Sequence, residues 1–308
     1  MNAAGKTGAG DLVGNLDIRH ELNAALGPLT WYGVGGAAEV LAHPGDAHQL
    51  SALLRACHES AVPIHVLGRG ANLLVADSGV RGVVVQLNAK PFGAIRFEGD
   101  DVIAGGGADL AKVIMSCVRR GLAGLEGLAG VPASVGGALR MNAGGHHATI
   151  SGALVGLVSM DATGRTRELA RQDVGFEYRS SDLTDPIIVE ARFALSADDP
   201  ALLRKRVKSI FRDKKASQPL QESSAGCAFK NPPAAVSDRP AGRLIDEAGL
   251  KGFRIGGAEV STQHANFVVV HSDGTADDVL HVMAHVQRAV RERFGVDLER
   301  EVVVWGQS

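Results

Sequence analysis

Cysteine is scarce in this chain: three residues, Cys57, Cys117 and Cys227, in 308. An odd number at wide spacing supports neither a disulfide framework nor a cysteine-rich zinc site, and it points to a reducing cytosol. Net charge is also small, −2. That excludes a global electrostatic pull toward nucleic acid or a membrane surface, so any phosphate binding must be local. No apolar run is long enough to span a bilayer, and no segment reads as a signal peptide. His281 and His285 sit at i, i+4, but Val282 stands where a zinc protease needs a glutamate, so no metal site is expected. His146-His147 reads as polar loop. No internal repeat is present.

What the chain has instead is glycine, 39 residues of it. Eight fall in residues 121–145, G-L-A-G-L-E-G-L-A-G-V-P-A-S-V-G-G-A-L-R-M-N-A-G-G. A stretch this dense in glycine is expected to form no ordinary helix or strand, because each interior glycine costs backbone entropy. It still carries Leu122, Leu125, Leu128, Val131, Val135, Leu139 and Met141, and so can be buried. Such a segment suits a backbone lying against a flat or charged ligand. Taken alone it is equally a packed loop joining two elements.

The length and a composition of 45% hydrophobic and 21% charged residues fit a soluble globular chain of two or three domains. Residues 1–15 are aperiodic and are expected to be a disordered leader. Asp46 caps an expected helix over 47–60, which places Cys57 in the core. A strand at Ile64–Leu67 runs into Gly68-Arg69-Gly70-Ala71-Asn72-Leu73-Leu74. The third glycine of a dinucleotide fingerprint and the G-K-[ST] of a P-loop are both absent. The loop is either a nest of N–H groups for a diphosphate or a β-turn with Asn72 left-handed.

Further strands are expected at 83–87, 94–97, 102–104, 153–160, 165–169, 187–195, 267–270 and 302–305. Helices are expected at 108–120 with Gly121 as C-cap, from Asp199-Pro200 to about Lys215, near 241–248, and from Thr275 to about Phe294 with a T-x-x-D capping box. Strands and helices mix without regular βαβ alternation, which favours α+β domains. The helix to Lys215 is basic, through Lys205, Arg206, Lys208, Arg212, Lys214 and Lys215: a solvated face or a face for an anionic substrate. Cys227 lies in a loop between Gly226 and Ala228, a candidate acid or nucleophile. Tyr178-Arg179 and the Glu299/Glu301 pair are ambiguous by themselves.

The pieces gain meaning in their order. T-W-Y-G-V-G-G, G-R-G-A-N-L-L, G-L-E-G-L-A-G-V-P-A-S-V-G-G-A-L-R-M-N-A-G, Y-R-S-S, G-C-A-F-K-N-P, A-G-R-L-I-D-E-A-G-L-K-G, G-G-A-E-V-S-T-Q-H-A-N-F and L-E-R-E follow one another from about Leu16 to the end. This series closely resembles the UDP-N-acetylenolpyruvoylglucosamine reductases, the MurB flavoenzymes of peptidoglycan synthesis. Only 48 positions separate Arg179 from Cys227. That spacing resembles the family's compact type, without the insertion bearing a mobile tyrosine loop.

The resemblance implies an α+β fold: a two-subdomain FAD-binding fold of the vanillyl-alcohol-oxidase (PCMH-type) superfamily, here 16–87 and 88–205. A C-terminal α+β substrate domain over 206–295 follows, and a last strand over 296–308 returns to the active site. It implies that Gly68, Arg69, Gly70, Ala71, Asn72 and Leu73 face FAD. Gly130, Val131, Pro132, Ser134, Gly136, Gly137, Asn142 and Ala143 would do the same. Tyr178, Lys215, Lys230, Asn231 and Gln263 would bind the substrate, the sugar nucleotide UDP-N-acetylenolpyruvoylglucosamine. NADPH is the implied hydride source, and the implied protein is a cytoplasmic monomer with no nucleic-acid or membrane partner.

The implied reaction passes hydride from NADPH to FAD and on to the methylene carbon of the enolpyruvyl ether. Charge then develops as an enolate, which Arg179 and Glu301 stabilise. A proton reaches the neighbouring carbon, and the family usually places a serine at the position of Cys227 for that task. Two positions depart from the commoner pattern: Cys227 and Ala71, both usually serine. An ordinary thiol pKa of about 8.5 leaves cysteine mostly protonated at neutral pH, so it can fill the acid role. Ala71 removes one hydroxyl donor and leaves the backbone donors, so FAD is expected to be retained.

Overall fold

The computed structural model describes residues 8–145 and 148–306, so His146 and His147 lie outside the described residues. The chain divides into two compact units. One holds residues 1–24, 38–69 and 81–211; the other holds 25–37, 70–80 and 212–308. The short segments 25–37 and 70–80, which the sequence reading keeps with the first subdomain, belong to the second unit. Their apolar residues explain it: Tyr32 and Leu74 are fully buried in that unit's core.

The first unit carries two larger sheets. One has four strands in the order Arg19–Ala25, Ala37–His43, Val80–Gln86, Ile64–Leu67, the last two parallel. The other has five antiparallel strands in the order Thr166–Ala170, Leu154–Met160, Ile187–Ala194, Asp101–Gly105, Ile95–Glu98.

Helix α1 spans Ala9–Gly14 where the sequence suggested a disordered leader. Its Ala9, Leu12 and Val13 bury in one cluster with Leu50, Leu53 and Leu54, which offsets the cost of ordering a short segment. Those leucines and Cys57 line the buried face of α2, Ala47–Glu59, whose first turn Asp46 caps through the Gln49 N–H at 2.8 Å. Helix α3, Leu110–Arg120, buries Val113, Ile114, Cys117 and Val118 and stops at Gly121 in the left-handed region. That conformation costs glycine little.

The glycine-rich stretch does contain a helix, contrary to the expectation: α4, Val135–Arg140. Ser134 Oγ accepts from the Gly137 N–H at 3.2 Å, while Val135 and Leu139 are fully buried. One cap and two buried side chains outweigh the entropy of two glycines in so short a piece. Helix α5, Pro200–Ser217, carries the basic residues and spans the division between the units.

The second unit is built on a three-stranded antiparallel sheet, Arg254–Ile255, Ala258–Val260, Val268–Val270. Helix α6, Ala241–Glu247, and helix α7, Ala276–Phe294, share its core. The capping box of α7 is formed as the sequence predicts: the Asp278 N–H donates to Thr275 Oγ1 and the Thr275 N–H to Asp278 Oδ2, each at 3.1 Å. Strand Val303–Trp305 pairs in parallel with Leu73–Val75. No helix among the described residues is long and apolar enough to cross a membrane.

Candidate active site

In the first unit a cleft of about 260 Å³ opens where strand Ile64–Leu67 ends at Gly68 and Arg69. Glycine backbone from three segments lines it: Gly68, Gly106-Gly107 and Gly136-Gly137. Segment 106–110 runs beside 133–136, with Gly136 N–H on Gly106 O at 2.8 Å, Val135 N–H on Ala108 O at 2.9 Å and Leu110 N–H on Ala133 O at 3.0 Å. The strand Ile187–Ala194 bulges between Ile188 and Glu190, and the Val189 carbonyl accepts from the Gly106 N–H at 2.7 Å. A Cβ on Gly106 would stand 1.9 Å from the Ile188 carbonyl oxygen, so only glycine allows this approach.

Two cations border the cleft. Arg69 Nη1 pairs with Asp109 Oδ2 at 2.7 Å, and the same carboxylate caps α3 through the Ala111 N–H. Arg140, mostly buried, donates to the carbonyls of Leu183, Asp185 and Pro186. Burial pulls its guanidinium below the ordinary value and Asp185 pushes it back up; it stays charged at neutral pH.

Of the residues assigned to FAD by resemblance, Gly68, Arg69, Ser134, Gly136 and Gly137 meet in this cleft. Gly130, Val131, Pro132 and Ala143 are not on its lining. Asn142, left-handed at φ 41°, donates Nδ2 to the Glu177 carbonyl at 2.8 Å, while its buried Oδ1 has no partner among the described residues. A glycine-walled cleft with two flanking guanidinium groups fits a flat, anionic cofactor such as FAD.

Tyr178 and Arg179 form the two-residue tip of the hairpin Phe176–Glu177, Ser180–Ser181. Arg179 is left-handed at φ 57°, which costs a non-glycine residue about 1–3 kcal/mol and persists only where the surroundings dictate it. Its guanidinium carbon lies 5.1 Å from the Tyr178 ring centroid. Tyr178 is 53% exposed.

Cys227 and Glu301 lie in the second unit. Residues 227–230 are extended between two other segments. On one side Cys227 bridges Phe267, the Ala228 N–H donates to Asn266 O at 2.7 Å, and the buried Asn266 amide bonds both the N–H and the carbonyl of Phe229. On the other side the Glu301 N–H donates to Ala228 O and the Lys230 N–H to Glu299 O, each at 2.9 Å. Cys227 and Glu301 therefore sit on neighbouring extended segments. Asn72 Nδ2 donates to the Glu301 carbonyl at 3.0 Å, and the Val303 N–H donates to Asn72 O at 3.1 Å. Asn72 is not left-handed; Gly70 is, at φ 62°.

Three of the expected substrate residues have defined partners. Lys230 Nζ pairs with Glu299 at 2.6 Å. Asn231 Oδ1 accepts from the Ala241 N–H at 3.0 Å, capping α6 from a distance. Gln263 Nε2 donates to the carbonyls of Lys215 and Ala216 at 3.4 and 3.2 Å.

Sequence reasoning missed Gly106, Gly107, Arg140, Asn266 and Tyr32. The run Gly105-Gly106-Gly107 at a strand end was an available signal. Tyr32 is fully buried, and its hydroxyl lacks a partner of good geometry among the described residues. Burial raises its phenol far above the ordinary value and nearby Cys227 adds to that; the Ala225 backbone opposes it without reaching hydrogen-bond geometry. The other thiols are remote from any chemistry: burial pushes Cys57 up to about 11 and Cys117 up to about 12.

The arrangement defines a flavoprotein of two parts. Residues 38–170 match the family described as "FAD binding domain", and 218–305 match "UDP-N-acetylenolpyruvoylglucosamine reductase, C-terminal domain". The curated UDP-N-acetylenolpyruvoylglucosamine reductase 2 of Symbiobacterium thermophilum is 43% identical, over 89% of this chain and 88% of its own. The UDP-N-acetylenolpyruvoylglucosamine reductase of Moorella thermoacetica is 38% identical, over 97% and 98%. The crystal structure of the Thermus caldophilus reductase (MurB) superposes with a TM-score of 0.79 at 37% identity, covering 94% of this chain and 99% of that one. The chain belongs to the UDP-N-acetylenolpyruvoylglucosamine reductase family, and its fold is the α+β FAD-binding fold of the PCMH type joined to that family's C-terminal domain.

Proposed function

We propose that this protein is the NADPH-dependent, FAD-containing reductase that converts UDP-N-acetylenolpyruvoylglucosamine to UDP-N-acetylmuramate in peptidoglycan synthesis. The observation that carries this reading is the knitting of Cys227 and Glu301 onto adjacent segments, through the Glu301 N–H on Ala228 O and the Asn72 amide on Glu301 O. Bound FAD would supply the hydride-transfer chemistry, between NADPH and the methylene carbon of the enolpyruvyl ether. Gly68, Arg69, Ser134, Gly136 and Gly137 would hold it, the glycines by leaving bare backbone for a flat ring to lie against and Arg69 by its guanidinium. Gly70, Ala71, Asn72, Leu73, Gly130, Val131, Pro132, Asn142 and Ala143 complete the cofactor set.

Arg179 neutralises the substrate carboxylate as charge moves onto it, and Glu301, protonated or through a hydrogen bond, shares that charge. Cys227 gives its thiol proton to the carbon that bears the ether oxygen, completing the addition of two hydrogens across the double bond with the ether bond intact. Solvent must reprotonate the thiolate before the next turnover. Lys215, Lys230, Asn231 and Gln263, within a substrate domain over 206–295, and Tyr178, outside it, bind the diphosphate and sugar, and NADPH and sugar nucleotide use the site in turn. The protein acts as a cytoplasmic monomer. NADPH consumption that requires the enolpyruvyl sugar nucleotide tests the reading. Consumption at the same rate without it indicates a different flavin oxidoreductase of this fold.

A further inference from the structure

The hairpin that carries Arg179 is tied to the glycine-rich stretch at several points, all within the first unit. Asn142 Nδ2 donates to the Glu177 carbonyl at 2.8 Å, which fixes the first arm. Ser181 Oγ donates to the Arg140 carbonyl at 2.9 Å, which fixes the second arm. The Arg140 guanidinium then gathers the carbonyls of Leu183, Asp185 and Pro186, where the chain turns toward strand Ile187–Ala194. The base of the hairpin is closed by the Asp182 N–H on Gly175 O at 3.0 Å and the Gly175 N–H on Asp182 Oδ1 at 2.8 Å. Asp185, the carboxylate beside Arg140, is engaged elsewhere, by Ser159 Oγ at 2.5 Å and Arg167 Nη1 at 3.2 Å.

We propose that Arg140 and Ser181 form a positioning pair, which fixes the strained tip of the Arg179 hairpin to the helix lining the cofactor cleft. A left-handed arginine at a two-residue tip relaxes unless its arms are pinned. A guanidinium presents its donors in a fixed plane and so holds three carbonyls within four residues in one geometry; the three rotatable donors of an ammonium impose no such plane. Arg140 also lines the cleft, so one side chain borders the cofactor and sets the catalytic arginine. Neither residue touches reacting atoms. Both act through Arg179. The inference rests on the proposed reductase reading for its kinetic consequence, not for the clamp itself.

The test uses FAD-loaded full-length protein and compares wild type with Ser181→Ala, Ser181→Thr and Arg140→Gln. Amide hydrogen exchange is followed over residues 175–186, and the two half-reactions are timed by rapid mixing. Ser181→Ala should exchange faster across 175–186. Its reduced form should be reoxidised by the enolpyruvyl sugar nucleotide about tenfold more slowly, the loss of one hydrogen bond's worth of positioning. Flavin reduction by NADPH and FAD content should stay within about twofold of wild type by the same measure. Ser181→Thr restores the hydroxyl and should restore both readouts. Arg140→Gln removes a buried cation and endangers the fold, whereas Ser181→Ala removes one hydroxyl and keeps the test clean. Unchanged exchange over 175–186 in Ser181→Ala overturns the proposal, as does an equal fall in both half-reactions. If wild type itself is not reoxidised by the sugar nucleotide, the reductase reading fails, while the exchange arm still decides the clamp.

Discussion

The side-chain amide of Asn72 donates to the backbone carbonyl of Glu301 at 3.0 Å, across 229 positions of sequence. The loop that reads as a phosphate cradle thus also holds the last strand in place. Asn72→Ala leaves that carbonyl without its side-chain donor and loosens the segment carrying the glutamate. We expect reoxidation of the reduced enzyme by the sugar nucleotide to fall about tenfold. Thermal stability should fall by about 1 kcal/mol. Stopped-flow reoxidation and a melting curve check this. A variant that loses FAD but keeps its reoxidation rate when reloaded would assign Asn72 to the cofactor alone.

Cys227 stands where the family usually has serine. Both residues carry an exchangeable proton on a short side chain, so Cys227→Ser should keep turnover within about tenfold. Cys227→Ala should lose roughly 100-fold or more, the usual worth of a positioned general acid. Flavin reduction by NADPH should be unaffected in both. Normal reoxidation in Cys227→Ala would mean the proton comes from another group.

The three thiols should differ sharply in reactivity. Cys57 and Cys117 are buried and held up at about 11 and about 12, so neither forms thiolate near neutral pH. Cys227 is partly exposed. A thiol-titrating reagent at pH 8 should modify one equivalent on the native protein and three in denaturant. That modification should abolish reoxidation by the sugar nucleotide.

Gly70 sits at φ 62°, and a Cβ there would lie 2.3 Å from the Leu29 carbonyl oxygen and 2.7 Å from Thr30 Cα. Both obstacles are backbone. Gly70→Ala should cost at least about 2 kcal/mol and lower Tm by roughly 4–8 °C. Gly93 meets nothing within 4 Å, so Gly93→Ala should stay within about 0.5 kcal/mol of wild type. Equal melting curves for the two variants would contradict this account of the loop.

Local chemistry was legible in the sequence. Asp46, Gly121 and the Thr275/Asp278 box announce their helix ends because a cap acts within four residues. Helix α4 was not legible, since its stability comes from the buried Val135 and Leu139 and from the partner segment 106–110. Helix α1 was hidden for the same reason: its apolar residues find their partners in α2. At the site, the motifs named Arg179, Cys227 and Glu301 but not what holds them. Arg140, Asn266 and the Asn72–Glu301 bond act between segments far apart in the chain, where local pattern carries no signal.

The central claim is a flavin that cycles between NADPH and the enolpyruvyl sugar nucleotide, and the visible absorbance of the purified protein tests it most directly. The purified protein should be yellow, with a flavin band bleached by NADPH under anaerobic conditions and restored by one equivalent of UDP-N-acetylenolpyruvoylglucosamine. A protein that binds no added FAD, or whose bleached band the sugar nucleotide leaves unchanged, would contradict it.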